Sequence, residues 1–361
     1  MRPHIEMLAM QYQVTLVTNG VERDVASLLN DNVRFVNVNM ARKVSLWSDI
    51  CSLLQLCIIF RKECFFAVHS LTPKAGLLAM LAAFFARVPN RIHTFTGQVW
   101  ANKSGVARWS LRMFDKLIAF CATGLLADSF SQCQFIVEQR IVKKDKLFVL
   151  GNGSACGVDV ERFKPNLTVR NEIRSSFGIP SNAIVCLFLG RLNKDKGVQD
   201  LARAFSELAS NMPHIYLLVV GPDEGGIDAM LQLTLANCLG RFHRIDFTNK
   251  PEDYMACADI FCLPSYREGF GSVIIEAAAA GVPAVASKIY GLVDAVKDGE
   301  TGILHQPKNI ESLKQALLTL IIDDDIRKAM SSKAMVRAHD LFSVDVVVAA
   351  MRQYYKNMQS G

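Results

Sequence analysis

Hydrophobic residues fall along this chain in short apolar runs separated by longer stretches of helical spacing. VTLVT (14–18), VRFVNV (33–38), FFAVH (65–69), RIHTF (91–95), GLLADS (124–129) and KLFVLG (146–151) read as strands, being short, apolar and bounded by turn residues. In the second half AIVCLFLGR (183–191), IYLLVVG (215–221), HRIDF (243–247), ADIFCLPS (258–265) and the segment after Pro283 read the same way. Helical spacing fills the intervals: residues 1–12 with Met1, Ile5 and Leu8 on one face, 103–120, the Val198, Leu201, Phe205 and Leu208 series, 226–238, 251–257, 309–321, 324–341 and 343–357. Apolar strands alternating with helices predict an α/β fold of parallel, doubly wound sheets. The chain starts on a helix, whereas such sheets place their first strand centrally with its loop facing the ligand. The first domain is therefore expected to lack its first strand.

At 361 residues two domains are the natural division. The densest loop signal, GNGSACGVDVERFKPN (151–166), marks the linker and gives domains 1–160 and 161–342. The last helix, 343–361, is expected to return to the first domain. Neither LLQLCIIF (53–60) nor AGLLAMLAAFFA (75–86) reaches the roughly 20 residues that span a bilayer, and MRPHIEMLAM has no signal-peptide pattern. Ten cysteines without a C-x-x-C pair, Cys57, Cys186 and Cys262 among them, predict buried reduced thiols and a cytoplasmic protein.

Charge adds an asymmetry. The net charge is +6, divided as +8 over residues 1–165 and −2 over the remainder. A basic first half points to an anionic partner. Aromatic residues are not interleaved as in RNA-binding sheets, so an acidic membrane surface is expected rather than nucleic acid. KSGVARWSLRMFDKLIAF (103–120) offers Arg108, Arg112 and Lys116 at i, i+4 and i+8 beside Trp109, Met113 and Leu117, which suits an interfacial helix; a solvated helix face is the alternative.

Candidate chemistry concentrates in FCLPSYREGFGSVIIEAAAAGVPAVAS (261–287). Gly269, Phe270, Gly271 and Ser272 open a helix, where backbone N–H groups and the dipole favour an anion. Glu268 precedes that turn and Glu276 lies inside the helix, so carboxylates for sugar hydroxyls stand beside amides for phosphate. After the 183–191 strand, Gly190, Arg191, Lys196 and Gly197 form a GR-x4-KG turn that can bring two cations to one diphosphate.

The E-x7-E spacing from Glu268 to Glu276, with EGFG ahead of the helix and G-x-P-x-x-A-S closing it, resembles the retaining nucleotide-sugar glycosyltransferases of GT-B fold, family 4. GNGSxxGVDxxRF resembles the family's linker, and FFAVHSLTPKAGLLAMLAAFFARVPNRIHTFTGQVW (65–100) resembles the acceptor-side domain of bacterial enzymes that extend sugars on a lipid pyrophosphate carrier. The resemblance implies two facing Rossmann-like domains and transfer of a hexose or N-acetylhexosamine from a nucleotide diphosphate, the UDP-sugar first among candidates, with retention. It gives Arg191, Lys196 and the amides of Gly269 to Gly271 the leaving diphosphate, Glu276 the ribose and Glu268 the donor sugar. His69, Lys74 and Gly97 become candidates for the lipid-linked saccharide acceptor, and His93 a catalytic candidate. These cations take the leaving-group role, so neither metal nor other cofactor is expected. Two rivals share the fold: a catalytically silent nucleotide-sugar-binding subunit or truncated product, and a nucleotide-sugar epimerase. The expected place is the inner face of the plasma membrane, peripherally bound; the sequence carries no signal for oligomeric state.

Overall fold

The computed structural model describes residues 2–20, 33–40 and 45–360. It divides the chain into two compact units, Met1–Cys156 with Asp345–Gly361, and Gly157–Val344. The second begins at Gly157, ahead of the expected boundary, because strand-like bonds stitch its two ends together. Val158 N–H donates to Phe342 O at 2.8 Å and Val344 N–H to Val158 O at 2.9 Å.

In the first unit α1 (Arg2–Ala9) leads to β1 (Val14–Thr18) and β2 (Val33–Asn37), a parallel pair of their own. There follow α2 (Leu46–Glu63), β3 (Ala67–Ser70), α3 (Pro73–Phe85), β4 (Asn90–Phe95), α4 (Gly105–Cys121), β5 (Gly124–Ala127), α5 (Phe130–Glu138) and β6 (Leu147–Val149). The last four strands form a parallel sheet in chain order. Side chains alternate across it as the two-residue period demands. Leu125 and Ala127 pack with Met80 of α3, Ile118 of α4 and Ile136 of α5. Ile92 and Leu126 face the other way, against Met7 and against Met351 and Tyr355 of the terminal helix, Val344–Ser360. The buried face of α1 is carried by His4 and Met7, not by Ile5 and Leu8, since His4 Nε2 pairs with Ala155 O at 2.8 Å; Met1 lies outside the described residues.

The second unit runs α6 (Leu167–Ser176), β7 (Ile184–Leu189), α7 (Val198–Ala209), β8 (Ile215–Val220), α8 (Asp228–Thr234), β9 (Phe242–Ile245), α9 (Pro251–Cys257), β10 (Ile260–Leu263), α10 (Ser272–Ala279), β11 (Ala284–Ser287), α11 (Leu292–Ala295), β12 (Gly302–His305), α12 (Ile310–Ile322) and α13 (Asp324–Phe342). Its sheet is parallel with order β12-β11-β10-β7-β8-β9. Val185, Leu187, Leu217, Phe261 and Val285 are fully buried, as expected where helices cover both faces. The single helix expected over 226–238 is shorter. Asp223 accepts from the N–H groups of Ile227 and Asp228 at 2.7 and 3.0 Å and delays its start, and Cys238, at φ −141°, interrupts it.

Strand order reverses between β7 and β10: the chain runs outward through β8 and β9, then returns to the other side of β7. In open parallel sheets that switch point, at the carboxyl ends of the strands, is where ligands bind.

Among the described residues no disulfide links the cysteines, and no helix is long and apolar enough to cross a membrane. Cys186 and Cys262 are buried, but Cys51 and Cys64 are exposed, which corrects the expectation that all the thiols lie inside.

Candidate active site

The turn after β7 and the loop after β10 meet at the switch point of the second unit. Gly190 follows β7, and a short 3-10 turn, Lys194–Lys196, leads to Gly197 and the start of α7. Gly197 has φ +66°, and a Cβ there would stand 2.0 Å from Pro264 O, so only glycine lets the two segments touch. Tyr266 N–H donates to Asp195 O at 2.7 Å, Tyr266 Oη donates to Asp200 at 2.6 Å, and Arg267 reaches Asp195 at 3.4 Å. Burial, with the Asp200 contact, raises the Tyr266 phenol above its ordinary range.

That lacing brings Lys196 Nζ to 2.5 Å from Glu268 Oε1, with both side chains largely shielded from solvent. The sequence assigns these groups to neighbouring parts of one ligand; the structure joins them in a single ion pair. Arg191, by contrast, lies exposed against Glu224 at 3.0 Å.

Beyond Glu268 the chain turns through Gly269, Phe270 and Gly271 into α10. Phe270 is buried, its ring 5.1 Å from that of Phe342, so its side chain anchors the loop and only its backbone remains for a ligand. Gly271 caps α10 at φ +82° and has no side chain to bond the first turn, which begins at Ser272; Ile274 N–H turns back to Gly271 O at 2.8 Å, and the N–H groups of Ser272 and Val273 ahead of it lie before the helix's own i−4 ladder begins. Glu276, one and a half turns in, is half-buried. Burial pushes its carboxyl up to about 7; Arg162 opposes the shift and Glu252 adds to it. Arg162 is itself clamped on Glu252 at 2.7 and 3.0 Å. Sequence reasoning did not single out Arg162, Glu252, Tyr266 or Asp200. The first lies in the GVDVERF segment, which was read only as linker.

In the first unit the histidines take structural places. His69 Nδ1 pairs with Tyr355 Oη at 3.0 Å and Nε2 with Thr94 Oγ1 at 2.8 Å. Burial, then the neighbouring His4, lowers its pKa to about 4. His93, expected as a catalytic group, is 1% exposed, bonded through Nδ1 to Ser70 Oγ at 2.8 Å and packed under Gly76. Burial, then His69, takes it to about 3. This corrects its assignment: it is a neutral core group below Gly76, where any Cβ would stand 2.5 Å from its ring. Lys74, expected to reach a pyrophosphate, is held by Asp49 at 2.6 Å. Gly97 takes φ +111° in the loop after β4. A buried polar group that the sequence reading passed over lies beside it. Gln98 and Gln132 are 3.3 Å apart, Gln132 accepts from Asp128 N–H at 2.8 Å, and burial raises the Asp128 carboxyl to about 7.

The expected basic stripe on α4 is also corrected. Arg108 and Arg112 turn inward onto the buried Trp100, each 5.5 Å from its ring, and bond to Gln139 at 3.1 and 2.6 Å. Trp100 in turn donates to Asp115 at 2.7 Å. Lys116 stays exposed, and the outward face carries Trp109 (65% exposed), Met113, Leu117 and Phe120.

Two parallel α/β units, the second with a cation, two carboxylates and a helix start at its switch point, fit a glycosyltransferase of GT-B fold. The glycosyl transferases group 1 family matches residues 169–337, and the glycosyl transferase 4-like domain matches residues 5–153. The chain is 30% identical over 358 residues to the capsular polysaccharide biosynthesis glycosyltransferase CapM of Staphylococcus aureus, covering 98% of this chain and 93% of that protein. It is 28% identical to the UDP-Gal:alpha-D-GlcNAc-diphosphoundecaprenol alpha-1,3-galactosyltransferase of Escherichia coli, covering 96% and 90%. The fold matches Anabaena HepE in complex with UDP-glucose at a TM-score of 0.80, with 20% identity over 99% of this chain and 94% of that one. The chain belongs to the group 1 glycosyltransferases and is a glycosyltransferase.

Proposed function

We propose that the enzyme moves a hexose or N-acetylhexosamine from a UDP-sugar to a polyprenyl-diphosphate-linked saccharide in bacterial surface-polysaccharide synthesis, with retention at the anomeric carbon. The Lys196–Glu268 pair at the switch point carries this reading. A diphosphate arriving there offers Lys196 a stronger anion, and Glu268, released, accepts hydrogen bonds from the donor sugar's hydroxyls. Glu276 accepts from the ribose. As the anomeric C–O bond to the β-phosphate breaks, charge grows on the leaving diphosphate; the acceptor hydroxyl oxygen bonds to that carbon and passes its proton to the departing phosphate oxygen. Lys196 and the α10 amides meet that charge, with Arg191 released from Glu224 to join them. Cationic side chains thus fill the role a divalent metal plays elsewhere, and transfer proceeds in chelator. The relatives named for capsule and for diphosphoundecaprenol acceptors support the acceptor class. The basic first unit supports work at the inner face of the plasma membrane.

The test incubates the protein with labelled nucleotide sugars, a membrane lipid extract and excess chelator, and reads label and anomeric configuration in the lipid fraction. Label transferred with retention is expected. Glu268→Gln should abolish it while calorimetry shows nearly unchanged UDP affinity. Conversion of the donor without acceptor would make the enzyme an epimerase, and nucleotide binding without any turnover would make it a silent subunit.

A further inference from the structure

The C-terminal ends of α2 and α3 and the start of β4 enclose an open basin of about 690 Å³, lined by Arg61, Phe84, Phe85, Ala86, Arg87, Val88, Pro89 and Arg91. No acidic side chain lines it, and among the described residues none of the three arginines meets a carboxylate. The nearby Glu63 is already taken by Arg34 at 2.7 Å. Backbone carbonyls fix two of the guanidiniums. Arg91 donates to Cys121 O and Val88 O at 2.6 Å each, and Arg61 to Phe85 O at 3.2 Å. Arg87 is exposed at φ +59°, in the left-handed position that usually ends a helix with glycine. A bulky cation there costs backbone strain, and among the described residues its side chain meets no carboxylate to offset it.

The rim is as apolar as the basin is basic. Phe85 is 53% and Phe120 of α4 72% exposed, and the Phe84 and Phe120 rings lie 5.8 Å apart, so α3 and α4 share one outward aromatic patch. Exposed aromatic rings beside arginines that meet no carboxylate among the described residues suit a boundary between lipid headgroups and acyl chains. A lone anion fits poorly, because helix C-termini present partial negative charge that repels it. Several guanidiniums and inserted rings acting together overcome that, and a bilayer surface engages them together.

We propose that this basin and its aromatic rim are where the enzyme docks on an anionic bilayer, Arg61, Arg87 and Arg91 meeting lipid phosphates and Phe84, Phe85 and Phe120 entering the interface. The proposal rests on the peripheral-membrane part of the function above, and it replaces Arg108 and Arg112 as the membrane contacts.

Full-length protein is sedimented with phosphatidylcholine vesicles with and without phosphatidylglycerol, alongside Arg61→Glu/Arg87→Glu and a charge-matched control, Lys143→Glu/Lys144→Glu. The protein should bind only the anionic vesicles. The arginine variant should lose at least about tenfold in partitioning and the control little, since each cation near such a surface contributes of order a fivefold factor. Phe84→Ser/Phe120→Ser should weaken binding with no change in charge. Equal losses in variant and control, or none in either, overturn the site. Release by inorganic phosphate beyond that by chloride at equal ionic strength also overturns it, making the basin a phosphate-ion site. Transfer to a short soluble acceptor should be unchanged in every variant; its absence from the parent protein would instead sink the donor and acceptor chemistry proposed above and leave the vesicle result standing.

Discussion

Glu276 gives the site a pH signature. An acid whose folded-state pKa is raised, here to about 7, binds more protons folded than unfolded. Its contribution therefore favours the folded state at low pH and falls as pH rises from its ordinary value of about 4.5 towards 7. Ribose hydroxyls prefer the ionised carboxylate, so UDP affinity should move the opposite way, rising up to about tenfold per pH unit below 7. Calorimetry at pH 6 and 8 on the parent and on Glu276→Gln isolates the carboxyl from the titration of UDP itself; identical pH dependence in the two proteins would remove Glu276 from the nucleotide site. The relative placement of Glu268 and Glu276 could be read from the sequence because it is set within one loop and one helix. His93 could not. Its place at the end of a strand was legible, but the direction of its ring depends on Gly76, on the helix that packs over it.

The elements of the second unit were legible because parallel strands buried on both faces are continuous apolar runs, and glycine and proline punctuate them. What escaped was how one loop holds another. Nothing local in KDKG says that Gly197 lies against Pro264, or that Asp195 and Asp200 receive Tyr266. Gly197→Ala tests that contact. A side chain at φ +66° facing a carbonyl at 2.0 Å should cost of order 1–3 kcal/mol, read as a lowered denaturant midpoint. Because the same contact sets the Lys196–Glu268 pair, donor turnover should fall as well. A stable variant with full turnover would show that the loops adjust freely. On α4 the sequence showed the period of the cations but not their direction. Trp100, outside the helix, decides that Arg108 and Arg112 turn inward.

At the scale of the molecule, the terminal helix was expected to join the first domain, and the compact units are divided that way, with Asp345–Gly361 in the first. Val347, Met351 and Tyr355 are buried there. Ending the chain at Val344 uncovers Ile92 and Leu126 and removes the Tyr355 partner of His69. At about 1.5–3 kcal/mol per buried side chain this takes away much of a domain's typical 5–15 kcal/mol. Limited proteolysis should then digest the first unit while the second keeps UDP binding; protection of both would refute the estimate. The same arrangement sets an order of events during synthesis. The first unit is written in two pieces separated by Gly157–Val344, so one face of its sheet waits uncovered while that stretch is made, roughly 10–40 s at 5–20 residues per second. The second unit, contiguous in the chain, can finish first on the ribosome. The half that emerges first is completed last, and its exposed strands are the part of this enzyme most in need of a chaperone.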